Sequence, residues 1–331
     1  MPLKDLHLLP RIEDGWSFLY VEHCRIEQDG KSISVWEGTG STPVPCAALS
    51  LLMLGPGTTI THAAMKTLAE SGCLVQWCGE EAVRVYGVGL GETRSSRNLL
   101  RQASAWADHK ARLTVVRRLY ARRFQEQVNE SLSIQQLRGR EGLRVRAAYA
   151  SVSRATGVEW KGRNYDRKSW KAADPVNRAL SCANSCLYGI CHAAIVAAGY
   201  SPAIGFIHTG KALSFVYDVA DLYKLETSVP AAFWAAKGDT KNLEGTVRRT
   251  MRDLFLAERL MERILPDLAN IFEGLYNNVD DSLDSLWDAD GASPSGLWDP
   301  VQGRVEGGID YAEDINNGGD DSGTRSGDSE G

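Results

Sequence analysis

The sequence predicts an α+β protein: a small β-rich N-terminal domain, a larger all-α C-terminal domain and a disordered acidic tail. Three observations carry this. Short apolar runs broken by Gly, Pro and Asp-Gly fill the chain to about Val88. Long amphipathic segments replace them from Arg94. From Asn277 the composition turns to Gly, Asp, Ser and Asn, which cannot bury a core. The boundaries read as 1–87 for the β-rich domain, 88–92 for a linker, 93–276 for the helical domain and 277–331 for the tail.

In the first domain, Ser17 to Val21 is apolar and aromatic, as a strand requires. Asp29-Gly30 joins two further strands, Arg25 to Gln28 and Lys31 to Trp36, as a hairpin. Leu49 to Leu54 is a buried strand ended by Gly55-Pro56-Gly57. Thr61 caps a helix from His62 to Ser71, closed by Gly72. Strands Cys73 to Trp77 and Val83 to Tyr86 flank the turn Cys78-Gly79-Glu80. Gly87 to Glu92 is glycine-rich and reads as the linker.

Beyond it, Arg94 to about Gln127 reads as one long amphipathic helix. Ser133 and Gln136 form a capping box for a second helix, ended by Gly157. Asp174-Pro175 starts a third, apolar nearly all round from Ala179 to Ala198, hence a core helix. Further helices are expected near Pro230 to Lys237, Leu243 to Arg263 and Pro266 to Tyr276. In the tail, Leu283, Leu286, Trp287, Leu297 and Trp298 are placed to dock as short motifs.

No run of about 18 apolar residues is read from the sequence, so no membrane span is expected. The start of the chain is too interrupted for a secretory signal, and a cytoplasmic location is expected. Seven cysteines, an odd count, suit reduced thiols better than a disulfide framework. The net charge of −5 hides an asymmetry: residues 280–331 carry −12, leaving +7 on the body. A basic body suits a polyanionic partner, and interleaved aromatics such as Trp160, Tyr165 and Trp170 suit nucleic acid.

The stretch Gly205 to Lys224, G-F-I-H-T-G-K-A-L-S-F-V-Y-D-V-A-D-L-Y-K, holds the densest chemistry. It sets His208 in a turn and places Asp218 and Asp221 on one face of an apolar helix. Paired carboxylates there are costly without a cation between them. A divalent metal with His208 beside it is one answer; capping or solvated carboxylates are the commoner one. Glu141, among Arg138, Arg140, Arg144 and Arg146, is either a surface ion-pair partner or a metal-binding carboxylate beside a phosphate-binding groove. Cys182, Cys186, Cys191 and His192 lie inside one helical run, where they cannot converge on zinc. Gly87-Val88-Gly89-Leu90-Gly91 lacks the Lys-Ser/Thr of a phosphate-binding loop.

Longer motifs, in order, are more specific. They are Leu54 to Ala64 (L-x-P-G-T-x-x-x-H-A-A with an extra glycine at Gly55) and Gln136 to Arg146 (Q-L-R-G-x-E-G-x-R-V-R). Ser185 to Gly189 (S-C-L-Y-G), Ala197 to Lys211 (A-A-G-Y-x-P-A-I-G-F-x-H-T-G-K) and Leu213 to Asp221 (L-S-F-V-Y-D-x-A-D) follow. Over about residues 10–265 the chain resembles the universal integrase of the CRISPR adaptation module, in its subtype I-E form. The resemblance implies metal-dependent transesterification, in which 3′-hydroxyls of a captured DNA attack a CRISPR repeat, together with endonuclease activity on branched DNA. It implies Glu141, His208 and Asp221 as ligands of Mg²⁺ or Mn²⁺, and Asp218 as a neighbouring catalytic acid. It implies DNA contacts at Lys66, Arg84, Arg112, Arg138, Arg163, Lys211, Lys224 and Arg248. Family members are homodimers through the β-rich domain and assemble with a small second adaptation protein. In some relatives a tyrosine wedges the DNA end; the matching position here is Glu22, with Tyr20 and His23 as the other candidates. A branched-DNA repair nuclease and a non-catalytic DNA-binding scaffold remain the alternatives.

Overall fold

The computed structural model describes residues 18–80, 85–89, 96–129, 131–163, 173–238, 240–275, 297–299 and 303–305. It bears out the α+β architecture of a β-rich N-terminal region followed by a helical one. The β-rich region holds β1 (Leu19–Val21), β2 (Arg25–Asp29), β3 (Ser32–Glu37), β4 (Gly40–Val44), β5 (Leu51–Leu54) and β6 (Thr59–Ile60). Helix α1 (His62–Glu70), β7 (Leu74–Cys78) and β8 (Val85–Gly89) complete it. Two four-stranded sheets result, ordered β1-β5-β7-β8 and β4-β3-β2-β6. The hairpin turn sits one residue later than the sequence suggests, because Asp29 pairs with Ser32 and leaves Gly30-Lys31 as the loop. Gly30 takes the left-handed φ of 59° that this tight turn needs. Thr61 caps α1 by accepting from the Ala64 amide at 3.2 Å. The glycine-rich stretch read as a linker begins as strand, since β8 includes Val88 and Gly89.

The period of two along β5 joins the two regions. Leu52 and Leu54 face the core between the sheets, with Ile26, Ile33, Val35 and Val75. Leu51 and Met53 point the other way and join the helical core. Burying each such side chain contributes about 2 kcal/mol, so this sheet is a wall shared by both cores.

The helical region comprises α2 (Arg97–Ala107), α3 (His109–Phe124), α4 (Ile134–Thr156), α5 (Pro175–Ala197), α6 (Ser214–Ala220), α7 (Ser228–Lys237), α8 (Leu243–Ala257) and α9 (Leu260–Phe272). The single helix expected from Arg94 to Gln127 is instead two. Asp108 leaves helical geometry and caps α3 through its carboxylate on the Ala111 amide, 2.7 Å away. The break expected between Arg263 and Pro266 falls at Arg259, whose φ is 46°, and Pro266 lies inside α9. The capping box on α4 forms as read, with both Ser133 and Gln136 bonded, and Gly157 ends that helix at φ 75°.

Central to the body is α5. By length and hydropathy it would pass for a membrane span, contrary to the sequence reading, but 89% of its apolar window is buried inside the protein. It is the core helix. Its Gly189 lies against β5: a Cβ there would come within 2.6 Å of a Leu51 methyl. The glycine of S-C-L-Y-G thus lets α5 approach the sheet. All seven cysteines are free and buried, three of them on α5 with His192. Burial pushes the Cys46 thiol up to about 11 and lowers His192 to about 4, so both stay neutral at pH 7.

Of the tail, β9 (Leu297–Asp299) and β10 (Gly303–Val305) are described, paired antiparallel. This short ladder departs from the disorder expected there. Leu283, Leu286 and Trp287 lie outside the described residues.

Candidate active site

The site is built on the segment from Ser201 to Leu213, which runs as turns between α5 and α6. Gln102, fully buried on α2, clamps its start. The Gln102 amide donates to the Ser201 and Ile204 carbonyls at 3.0 and 2.9 Å and accepts from the Ser201 amide at 2.7 Å. The chain then passes so close to α6 that a Cβ on Gly205 would collide with the His208 carbonyl and Ser214. That is why the A-I-G-F-I-H stretch has glycine at this position.

Asp218, 0% exposed, organises the turn from α6. Its Oδ2 accepts the amides of Phe206 (2.6 Å) and Ile207 (3.0 Å). Its Oδ1 accepts the His208 amide (2.9 Å) and lies 2.8 Å from His208 Nδ1. An ionised carboxylate only accepts, so Nδ1 is the donor in this contact and Nε2 is the nitrogen left for a further partner. This is the arrangement in which a carboxylate fixes the tautomer of a metal-ligating histidine. Asp218, expected among the catalytic acids, therefore has both oxygens committed to the protein.

Asp221 follows as the C-cap of α6. Its Oδ2 lies 3.9 Å from His208 Nε2 and 3.2 Å from Arg123 Nη2, and its Oδ1 lies 2.5 Å from Lys224 Nζ. Burial alone would raise its pKa, but Lys224 and then Arg123 and His208 hold it below the usual carboxylate range. Lys224 shifts the opposite way: burial works against its charge, yet Asp221 and Tyr188 carry its pKa above the ordinary lysine value.

Glu141, on α4, differs from both aspartates. Its side chain is 17% exposed, its nearest cation is Arg144 at 3.9 Å, and its Oε2 is buried without a hydrogen-bond partner. Burial raises its pKa; Arg123 and Arg144 oppose this, and Asp221, within electrostatic reach, adds to it. The contact with Arg144 is the ion pair that the sequence offers as the alternative, here with the carboxylate mostly buried. Among the described residues, no three His, Cys, Asp or Glu stand close enough together to encircle a metal ion. The donor types nevertheless suit a hard divalent cation, with one imidazole and two carboxylates, one of which carries the orphaned buried oxygen.

The other candidates divide. Lys66 is exposed on α1, paired with Glu70 at 3.6 Å. Arg112 stacks over Trp106 at 4.8 Å, and with Arg138 it lines a cavity of about 250 Å³ beside Phe206 and Ile207. Lys211 is exposed on the turn after His208. Arg163, exposed overall, bonds the Asn177 carbonyl (2.8 Å) and Ser181 Oγ (2.5 Å), which ties its loop to α5. Arg248 lies 4.2 Å from the Tyr20 ring, whose hydroxyl donates to Glu22 at 2.7 Å. His23 sits at a left-handed φ of 51° over Gly57. Trp160 stacks internally on Tyr149 at 4.7 Å. Arg84, Tyr165 and Trp170 lie outside the described residues. Sequence reasoning missed Gln102 and Arg123, because a buried polar residue inside an amphipathic helix looks like any other polar position.

A β-rich wall carries a helical body, with an imidazole and carboxylates gathered on one turn and its neighbouring helices. Comparison with known proteins identifies the family. The family model of the CRISPR associated protein Cas1 matches residues 18–129 and 119–265. The chain is 52% identical over 311 residues to the CRISPR-associated endonuclease Cas1 2 of Thermus thermophilus, covering 94% of each. It is 47% identical over 272 residues to the CRISPR-associated endonuclease Cas1 of Geobacter sulfurreducens, covering 82% of this chain and 87% of that one. A crystal structure of a TtCas1–DNA complex superposes with a TM-score of 0.76 at 52% identity, covering 89% of this chain and all of the other. The chain belongs to the Cas1 family of CRISPR-associated endonucleases and integrases.

Proposed function

We propose that this chain is a metal-dependent DNA integrase of CRISPR adaptation that joins 3′-hydroxyl ends of short captured DNA to a CRISPR repeat. The observation that carries the reading is the pairing of a locked imidazole with an orphaned carboxylate. Asp218 fixes His208 so that Nε2 is the free nitrogen, and Glu141 Oε2 is buried with nothing bonded to it. Glu141, His208 and Asp221 would hold one Mg²⁺ or Mn²⁺. Bound there, the ion supplies polarisation of a phosphoryl oxygen and a lower pKa for the attacking hydroxyl.

The rest is the work of the protein's own side chains. Asp218 keeps the His208 turn rigid. Lys224, on the edge of the site, is placed to move from Asp221 to a phosphate once Asp221 has another cation. Arg112, Arg138, Lys66 and Lys211 supply positive charge for a DNA backbone. DNA as the substrate is supported by the 52%-identical relative crystallised with DNA. The subtype I-E form, a homodimer through the β-rich domain at about residues 1–87, a small second adaptation protein as partner and a cytoplasmic setting complete the proposal; they follow from the motif resemblance.

A strand-transfer assay tests the reading. Full-length protein, with and without the small partner, meets a short duplex with 3′-hydroxyls and a supercoiled plasmid carrying a repeat, in Mn²⁺ or Mg²⁺. Metal-dependent joining that His208→Ala abolishes is the expected result. Cleavage of branched DNA without joining would favour a repair nuclease. No metal-dependent product at all would leave a DNA-binding scaffold.

A further inference from the structure

Two cations touch Asp221, and they are held differently. Lys224 is partly exposed and belongs to the same turn as Asp221. Arg123 comes from α3, is 3% exposed and cannot lose its proton. Its Nη2 lies 3.2 Å from Asp221 Oδ2 and 3.3 Å from the main-chain carbonyl of Asp218. That carbonyl is in the last turn of α6, where the helix presents partial negative charge. One guanidinium therefore ties the end of α6 to the carboxylate that follows it. Its charged carbon lies 5.6 Å from the centre of the Tyr120 ring on α3. Its Nε is buried without a partner, as is Glu141 Oε2.

A buried arginine in such a place is not needed for surface charge, and Asp218 already makes the His208 turn. What it adds is a fixed positive charge among three carboxylates and a fixed direction for Asp221. Resting on the proposed function above, we propose that Arg123 is a positioning residue for the reaction. It holds Asp221 Oδ2 on the side of His208 Nε2, 3.9 Å from that nitrogen, by tying it to the end of α6. Lys224 is the cation that exchanges; Arg123 is the one that stays. Arg123 cannot itself reach DNA, because it is buried behind the residues it orients.

Arg123→Lys and Arg123→Met separate this from a purely structural role. Lysine keeps the charge but lacks the rigid planar guanidinium whose Nη2 meets both oxygens. The readouts are Mn²⁺ binding by calorimetry, strand-joining turnover at saturating Mn²⁺, and amide hydrogen exchange at residues 206–208 and 217–222 in metal-free protein. For Arg123→Met we expect turnover to fall about 10²-fold, the effect of misplacing a reacting group by ~1 Å, while the Mn²⁺ dissociation constant changes by less than about threefold. Arg123→Lys should recover turnover to within about tenfold of the parent. Both variants should speed exchange at those amides, a readout that needs neither metal nor DNA. Unchanged turnover in Arg123→Lys and Arg123→Met, or unchanged exchange, would overturn the proposal. If the parent binds no Mn²⁺ and joins no DNA, the function proposed above fails with it. A working parent with indifferent variants would sink only the role of Arg123. Should Arg123→Met not fold, the Lys variant carries the test through exchange and turnover.

Discussion

Asp218 and Asp221 stand three residues apart at the end of one short helix, yet the protein treats them oppositely. Asp218 is fully buried and spends both oxygens on four short contacts to a single turn. Asp221 is met by two side-chain cations, Lys224 and the buried Arg123, and by an imidazole too distant for a hydrogen bond. Glu141, on another helix, goes further and leaves an oxygen bonded to nothing. The difference teaches how a site divides its work. One carboxylate makes the geometry and is closed to chemistry; the other two are less fully bonded, and for Glu141 that comes at a cost in stability.

The sharpest way to break that comparison is Asp218→Asn. The amide would turn an NH₂ group toward backbone donors and remove the charge they bond to. We expect a loss of about 3–5 kcal/mol in urea unfolding together with loss of joining activity. A stable Asp218→Asn protein would mean that Asp218 does not make the turn. Asp221→Asn should do the reverse. It keeps an oxygen for Arg123 and touches no backbone amide, so stability should fall by only about 1–2 kcal/mol while joining falls at least about 10²-fold. The sign with pH follows from its lowered pKa. Asp221 contributes its stability above the unfolded value of about 3.9 and loses it as pH falls through the folded value. The deficit of Asp221→Asn should therefore shrink in acid, as denaturant midpoints at pH 7 and pH 3 will show.

How much of this was legible in the sequence varies with the physics involved. Local rules placed Thr61, Asp174, Ser133 with Gln136, and Gly157, because a cap is decided within four residues. The D-x-x-D spacing put Asp218 and Asp221 on one element, and apolar neighbours marked their burial. Their division of labour was not legible, since it depends on a turn ten residues upstream folding back onto Asp218. Asp108 was hidden because an amphipathic period continues across it, and only the cap geometry breaks the helix. Arg163 is expected at DNA from the family resemblance; its bonds to α5 arise from a long-range approach that no spacing encodes. Arg123, among five arginines on α3, differs from the others only in direction, and direction is set by packing.

The smallest effect is also the most pointed, because it carries the opposite sign. Glu141→Gln removes a carboxylate whose buried oxygen has no partner, and glutamine is its neutral isostere. The raised pKa of Glu141 means that the native state binds its proton more tightly than the unfolded chain. Stability from this group is full below the unfolded value of about 4.3 and is lost as pH rises through the folded value. Glu141→Gln should therefore be more stable than the parent at pH 7, with the advantage vanishing near pH 4. Saturating Mn²⁺ should erase the advantage by stabilising the parent alone, an effect of about 2.7 kcal/mol at a hundredfold excess over the dissociation constant. Thermal melts at both pH values, with and without Mn²⁺, measure all of this. If Glu141→Gln is destabilised at pH 7, Glu141 is an ordinary ion-pair partner of Arg144 and the contrast with Asp218 disappears. If it is stabilised, the orphaned oxygen is strain that the fold tolerates for the sake of the reaction.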